Sequence, residues 1–172
     1  MIDDLYSARI LSLAANLPFS GRLDFSGPVL GWPGTGEQVA KLCGSKAVVD
    51  ILLHADGVTI RDFAQDIKAC ALGQAAAAVL GESVIGATVP EIRAARDAMT
   101  AMLKFGGEGP TDRFEGLRLL KVVADYPARH ASTMVAIEAT LNAVADAMQH
   151  YELPCVLGLE QPPQDGRTRN AG

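Results

Sequence analysis

Asp56-Gly57 separates two runs rich in apolar and β-branched residues, Ala47 to Leu53 and Val58 to Phe63, and it constrains the fold more than any other local feature. An Asp-Gly pair supplies the backbone conformations of a tight hairpin turn, so the two runs are expected to pair as antiparallel strands. Directly afterwards, from Cys70 to Leu80, the chain becomes nearly all apolar and rich in alanine, which reads as a helix buried on most sides. Strands come early and helices late. The expected class is therefore α+β, a small antiparallel sheet of about three strands packed against several helices.

The rest of the chain fits around that centre. Leu5, Ala8, Leu11, Ala14 and Leu17 form a helical stripe over residues 3–17, with Asp3 and Asp4 at the favoured N-terminal end. Residues 20–38 carry Gly27, Pro28, Gly31, Pro33, Gly34 and Gly36 and read as a loop, or a weak strand around Leu23 and Phe25. Thr88-Val89-Pro90-Glu91 is a capping box that opens a helix to about Lys104. Asp112 with Glu115 repeats that pattern and predicts a shorter helix to about Val123. Met134, Ile137, Leu141, Val144 and Met148 then mark a final helix over 128–150. Residues 1–150 are expected to form one domain, and 151–172, with Pro162-Pro163 and a polar end, a disordered tail.

Composition narrows the function classes. At 172 residues the chain can bury one real core, and with 49% apolar but only 5% aromatic residues that core must be built from Ala, Leu, Val and Ile. A net charge of −5 argues against a nucleic-acid surface. No apolar stretch is long enough to span a membrane, and the acidic start Met1-Ile2-Asp3-Asp4 is unlike a secretion signal. A cytoplasmic protein is expected. Its three cysteines cannot form a closed disulfide set, and in that compartment they point to metal binding or reactivity.

Cys43 lies in Lys41-Leu42-Cys43-Gly44-Ser45 just before the first strand run, and Cys70 at the start of the alanine-rich helix, where free N–H groups favour a thiolate. Gly44 can swing the Cys43 thiol out of a strand end. His130 opens the last helix and is the third candidate donor. Three soft or borderline donors from three element starts suggest a small metal or sulfur site. For each cysteine the plain alternative is a buried structural residue; for His130 it is a satisfied polar side chain, and for Ser132 a capping residue. Arg129 and Lys68 flank the presumed site and can hold an anion by charge, or lie as ordinary solvated cations. Cys155, His54 and His150 read as incidental.

This arrangement resembles the iron–sulfur cluster assembly scaffold family of the NifU N-terminal, IscU and SufU type over about residues 3 to 150. The residues that carry the likeness are Asp4-Leu5-Tyr6, Cys43-Gly44, Asp56-Gly57, Lys68-Ala69-Cys70-Ala71 and Tyr126-Pro127-Ala128-Arg129. The long stretch between Cys70 and that Pro-Ala-Arg looks like the SufU branch. The chain departs from the family in lacking the Leu-Pro-Pro-Val-Lys segment of IscU-type members and at three single positions. Ser45 stands where an aspartate is usual and Ser132 where a third cysteine is usual. Ala131 takes the place of a histidine, with His130 one residue earlier.

The resemblance implies a scaffold or carrier, more than a catalyst, in which Cys43 and Cys70 bind iron or a transient iron–sulfur cluster or accept sulfur, and His130 supplies a nitrogen. It also implies a cysteine desulfurase as sulfur donor and apo-proteins as recipients, with no nucleic acid or membrane partner. One alternative is a zinc-bound sulfur acceptor using Cys43, Cys70, His130 and a water or Ser45. The other is a metal-free adaptor.

Overall fold

The structure, a computed structural model, describes residues 6–156. Its centre is β2 (Ser45–Leu53), flanked by β1 (Trp32–Ala40) and β3 (Ile60–Lys68) in a three-stranded antiparallel sheet of order β1-β2-β3. The expected hairpin is present. Residues 54–59 connect β2 to β3, Gly57 takes a positive φ of 68°, and Asp56 accepts from the backbone N–H groups of Val58 and Thr59. Among the described residues, four helices and a 3-10 segment follow the expected order: α1 (Ala8–Ala15), α2 (Ala71–Val84), α3 (Val89–Phe105), the 3-10 helix Asp112–Asp125 and α4 (Pro127–Val156). No described helix is long and apolar enough to cross a membrane.

β1 corrects the expectation of a loop over 20–38. Its glycines are there because α4 lies directly on the strand. A Cβ on Gly34 would stand 2.7 Å from the Ala147 nitrogen, and one on Gly36 2.7 Å from the Asn142 carbonyl carbon. Ala139, Ala143 and Ala147, one helical turn apart, complete a seam of small residues. The first strand therefore looks like a loop in sequence because backbone, not side chain, packs against it.

The two faces of β2 differ. Ala47, Val49, Ile51 and Leu53 are fully buried in the single core, which they share with α2, α3 and α4. On the other face Asp50, 1% exposed, accepts hydrogen bonds from Arg22 Nε (2.6 Å), Arg22 Nη2 (3.0 Å), Thr35 Oγ1 (2.6 Å) and the Leu23 N–H (3.0 Å). Burial alone would push this carboxyl up, but those donors together with the Arg22 charge hold it below the ordinary carboxylate range.

Both outer edges of the sheet are occupied. Along β1, Asn142 Nδ2 donates to the Glu37 carbonyl (2.8 Å) and the Thr35 N–H donates to Asp146 (2.9 Å). Along β3, the Gln65 N–H donates to the Phe19 carbonyl (2.8 Å) and the Gly21 N–H to the Gln65 carbonyl (3.0 Å).

Three helix expectations change in detail. α1 is capped by Ser7, whose hydroxyl accepts from the Ile10 N–H, whereas Asp3 and Asp4 lie outside the described residues. The capping box at Thr88 and Glu91 is present on α3. At Asp112 no such box forms: Thr111 makes no side-chain cap, and the segment is 3-10 rather than α. Its buried residues Phe114, Leu117, Leu120 and Val123 recur every third position, which suits three residues per turn. α4 extends past the expected end at His150 to Val156. The remainder of the tail, 157–172, lies outside the described residues.

Candidate functional site

Four short pieces of backbone set the geometry of the two thiols. β1 and β2 are joined by a turn in which the Cys43 and Gly44 N–H groups both donate to the Ala40 carbonyl (3.3 and 2.9 Å). Gly44 closes it with φ +70°, a left-handed conformation that a side chain would strain. The turn leaves Cys43 exposed and aims its thiol back at the first residue of β2, where Sγ–H donates to Ser45 Oγ at 3.2 Å. Ser45 itself is 4% exposed.

Cys70 occupies the N-cap position of α2, with extended backbone, and its side chain caps none of that helix's N–H groups. It instead donates to Ser132 Oγ at 3.5 Å. The two helices meet there because α2 begins with small residues: a Cβ on Gly73 would stand 2.7 Å from the Ser132 carbonyl oxygen. Ser132 is completely buried, and its hydroxyl donates to the Arg129 carbonyl one turn earlier in α4 (3.0 Å). A position readable in sequence only as a cap or a lost ligand is thus the junction of α4 with the start of α2.

The Cys43 thiol is held below its usual range first by the Ser45 hydroxyl and backbone N–H, against the opposing effect of burial, and then by the Ser132 hydroxyl and the Arg129 guanidinium. Each of these groups favours the charged sulfur: a hydroxyl can turn its hydrogen toward a thiolate, and a cation attracts it. Each thiol thus has a buried serine hydroxyl as its partner, Ser45 for Cys43 and Ser132 for Cys70.

His130 is not brought to this group, which corrects the expectation of a third donor. Its Nε2 lies 3.1 Å from the carbonyl oxygens of both Val123 and Ala124, at the end of the 3-10 helix. The reason is helical geometry: two residues along an α-helix rotate the side chain by about 200°, so positions 130 and 132 face nearly opposite ways. His130 instead lines a groove of about 620 Å³ with Val39, Leu103, Lys104, Pro127 and Met134. Lys68 also sits elsewhere, with Arg22, Glu37, Lys46 and Asp66 in a charged groove over the sheet. Among the described residues no three of His, Cys, Asp and Glu gather to hold a metal ion.

The donor set is thus two thiols backed by two hydroxyls. Thiolates suit iron, zinc and sulfur transfer, whereas neutral hydroxyls are weak ligands for those metals. Lowering the pKa of an exposed thiol also raises its share of thiolate, the nucleophilic form.

No protein-family model matches the chain, and no curated protein matches it. Solved structures do. The chain is 41% identical to the N-terminal part of a nitrogen-fixing NifU-like protein from Brucella abortus, covering 86% of this chain and 97% of that one with a TM-score of 0.78. It also shares the fold of a putative iron–sulfur cluster assembly scaffold protein for the SUF system from Fervidobacterium islandicum AW-1. The match there is 21% identity, 83% of this chain, 98% of that one and a TM-score of 0.70.

Proposed function

The chain belongs to the NifU-like N-terminal family, and we propose that it serves as an iron–sulfur cluster assembly scaffold or carrier in the cytoplasm. Cys43 and Cys70 are the residues that bind iron or the nascent cluster or receive sulfur. The observation that carries this reading is a pair of thiols at element junctions, exposed Cys43 on Ser45 and Cys70 on buried Ser132, in a chain 41% identical to a NifU-like N-terminal part. Sulfur arrives from a cysteine desulfurase, when the Cys43 thiolate attacks the outer sulfur of the donor's persulfide and the donor cysteine leaves as its thiolate. Ser45, Ser132 and Arg129 shift Cys43 toward the thiolate that performs this attack. Iron and cluster are cargo, handed on to recipient apo-proteins. Two thiolates with hydroxyl neighbours hold such cargo loosely, which favours release.

The test is anaerobic incubation of the reduced protein with a cysteine desulfurase, cysteine and ferrous iron, followed by desalting and assay of bound iron and acid-labile sulfide. The wild type is expected to gain both, Cys43→Ala and Cys70→Ala to lose most of the gain, and His130→Ala to keep it. A wild-type protein that takes up neither iron nor sulfur from the donor overturns the proposal.

A further inference from the structure

The groove that His130 lines includes neither thiol. It is a cleft of about 620 Å³ between the end of β1, the last turn of α3 and the first turns of α4. That volume falls within the range of sites that take up a ligand or a few side chains, about 300–1,000 Å³. Its walls are mainly apolar: Val39 and Ala40 from the strand, Leu103 from α3, Pro127 and Met134 from α4. Large apolar side chains continue around it. Val39 is 41% exposed, Phe105, directly after the lining Lys104, is 81% exposed, and Leu42, in the turn that follows Ala40, is 86% exposed. Contiguous exposed apolar residues rimmed by polar ones mark a surface made for a partner.

The rim charges say which partner fits. Glu138, the one carboxylate among the described residues lining the cleft, is engaged by Arg96 at 3.5 Å. Lys104 lines the cleft and makes no ion pair among the described residues. The same holds for Lys41, in the turn after Ala40, and for Arg129, in the first turn of α4 beside His130. A chain of net charge −5 thus places three uncompensated cations at this end. Two copies paired here about a two-fold axis would bring like charges together, which disfavours that pairing. A flat lipid surface would meet the rim and leave the concave floor of Leu103 and Met134 unfilled.

We propose that this groove docks an amphipathic segment of a partner protein, whose large apolar side chains enter the cleft and whose carboxylates face Lys104, Lys41 and Arg129. A helix with apolar side chains at three- and four-residue steps suits such a cleft. Val39 and Ala40 lead straight into the turn that carries Cys43, whose N–H donates to the Ala40 carbonyl at 3.3 Å. A docked partner therefore lies beside the exposed thiol. The groove is argued from its own shape and charge; its use in delivering or collecting cargo rests on the scaffold reading above.

The test is fluorescence anisotropy on the reduced full chain with a labelled helical peptide of about four turns, carrying Leu on one face and Glu elsewhere. The same peptide with Lys in place of Glu is the control. Saturable micromolar binding of the Glu peptide is expected, with the Lys peptide about tenfold weaker and the Glu peptide weakened in high salt. Lys104→Glu and Phe105→Ser, both at exposed positions, are each expected to weaken it about tenfold. Ala131→Trp, which fills the cleft from an exposed position on α4, is expected to abolish it. Circular dichroism of each variant separates lost binding from lost folding, and three independent exposed sites carry the comparison.

Absence of saturable Glu-peptide binding, equal binding of both peptides, or binding unchanged in all three variants overturns the inference. So does a wild-type dimer in sedimentation that Phe105→Ser converts to monomer, since the face then serves a second copy. Attachment to phosphatidylglycerol vesicles in place of the peptide, lost in Lys104→Glu, overturns it in favour of a membrane. Each of these results leaves the cargo reading standing, because that reading is measured by bound iron and acid-labile sulfide.

Discussion

β1 and α4 meet twice, and the two meetings are built in opposite ways. At the start of the strand, Gly34 and Gly36 let the helix backbone settle on the sheet, and Ala139, Ala143 and Ala147 leave no room for solvent or for another atom. Beyond the end of the strand, the same two elements present Cys43 in an exposed turn and the Ser132 hydroxyl, with Cys70 reaching in from α2. The sealed end fixes the helix on the strand. The open end uses that fixity to hold each thiol beside a buried serine hydroxyl. Preorganisation at the thiols thus depends on contacts between residues that have almost no side chain.

That contrast is broken most severely at the sealed end. Gly36→Val would drive a branched side chain into the α4 backbone, and overpacking of this kind is expected to destabilise by about 3 kcal/mol or more. Urea unfolding followed by circular dichroism is the check, and a midpoint unchanged from wild type would refute the close approach. On the far face of the sheet, Asp50→Ala is expected to cost about 2 kcal/mol through lost hydrogen bonds to a charged acceptor.

The Asp50 effect depends on pH in a definite direction. Because the folded carboxyl titrates below its usual value, its contribution is complete above about pH 4 and is lost as pH falls through the folded value. The gap in urea midpoint between wild type and variant is therefore expected to shrink at pH 3 and below. A gap of constant size would show that the carboxylate charge plays no part.

At the open end the expected effects concern reactivity, with little change in stability. Ser45→Ala removes the largest influence lowering the Cys43 thiol, so alkylation of Cys43 by iodoacetamide at pH 7 is expected to slow about fivefold, with the reactivity profile moving to higher pH. Ser132→Ala is expected to slow it less, and Arg129→Gln least, with the last difference fading in high salt. Equal rates in all four proteins would remove the basis for treating Cys43 as an activated thiol.

How legible these regions were in the sequence follows the same division. The hairpin, the capping box of α3 and the buried alanine-rich helix depend on local patterns, and each stands close to where those patterns put it. The places of Cys43 in the turn before β2 and of Cys70 at the cap of α2 were likewise readable from local pattern. β1 was not. Gly34 and Gly36 are turn residues in most contexts, and only the position of α4 more than a hundred residues later gives them another meaning. His130 failed for a local reason: being next in sequence to the right face of a helix is not the same as being on it. Ser132 could be noticed only as the place where a third thiol was missing, and its contact with the Cys70 sulfur needed α2 and α4 to be positioned first.

The sheet's occupied borders have an outcome of their own. Asn142 and Asp146 along one flank, and the 19–21 segment along the other, take up backbone groups at the middle of each rim that a visiting chain would otherwise pair with. Interrupting the rims there works against the runaway strand-to-strand stacking to which exposed β borders are prone.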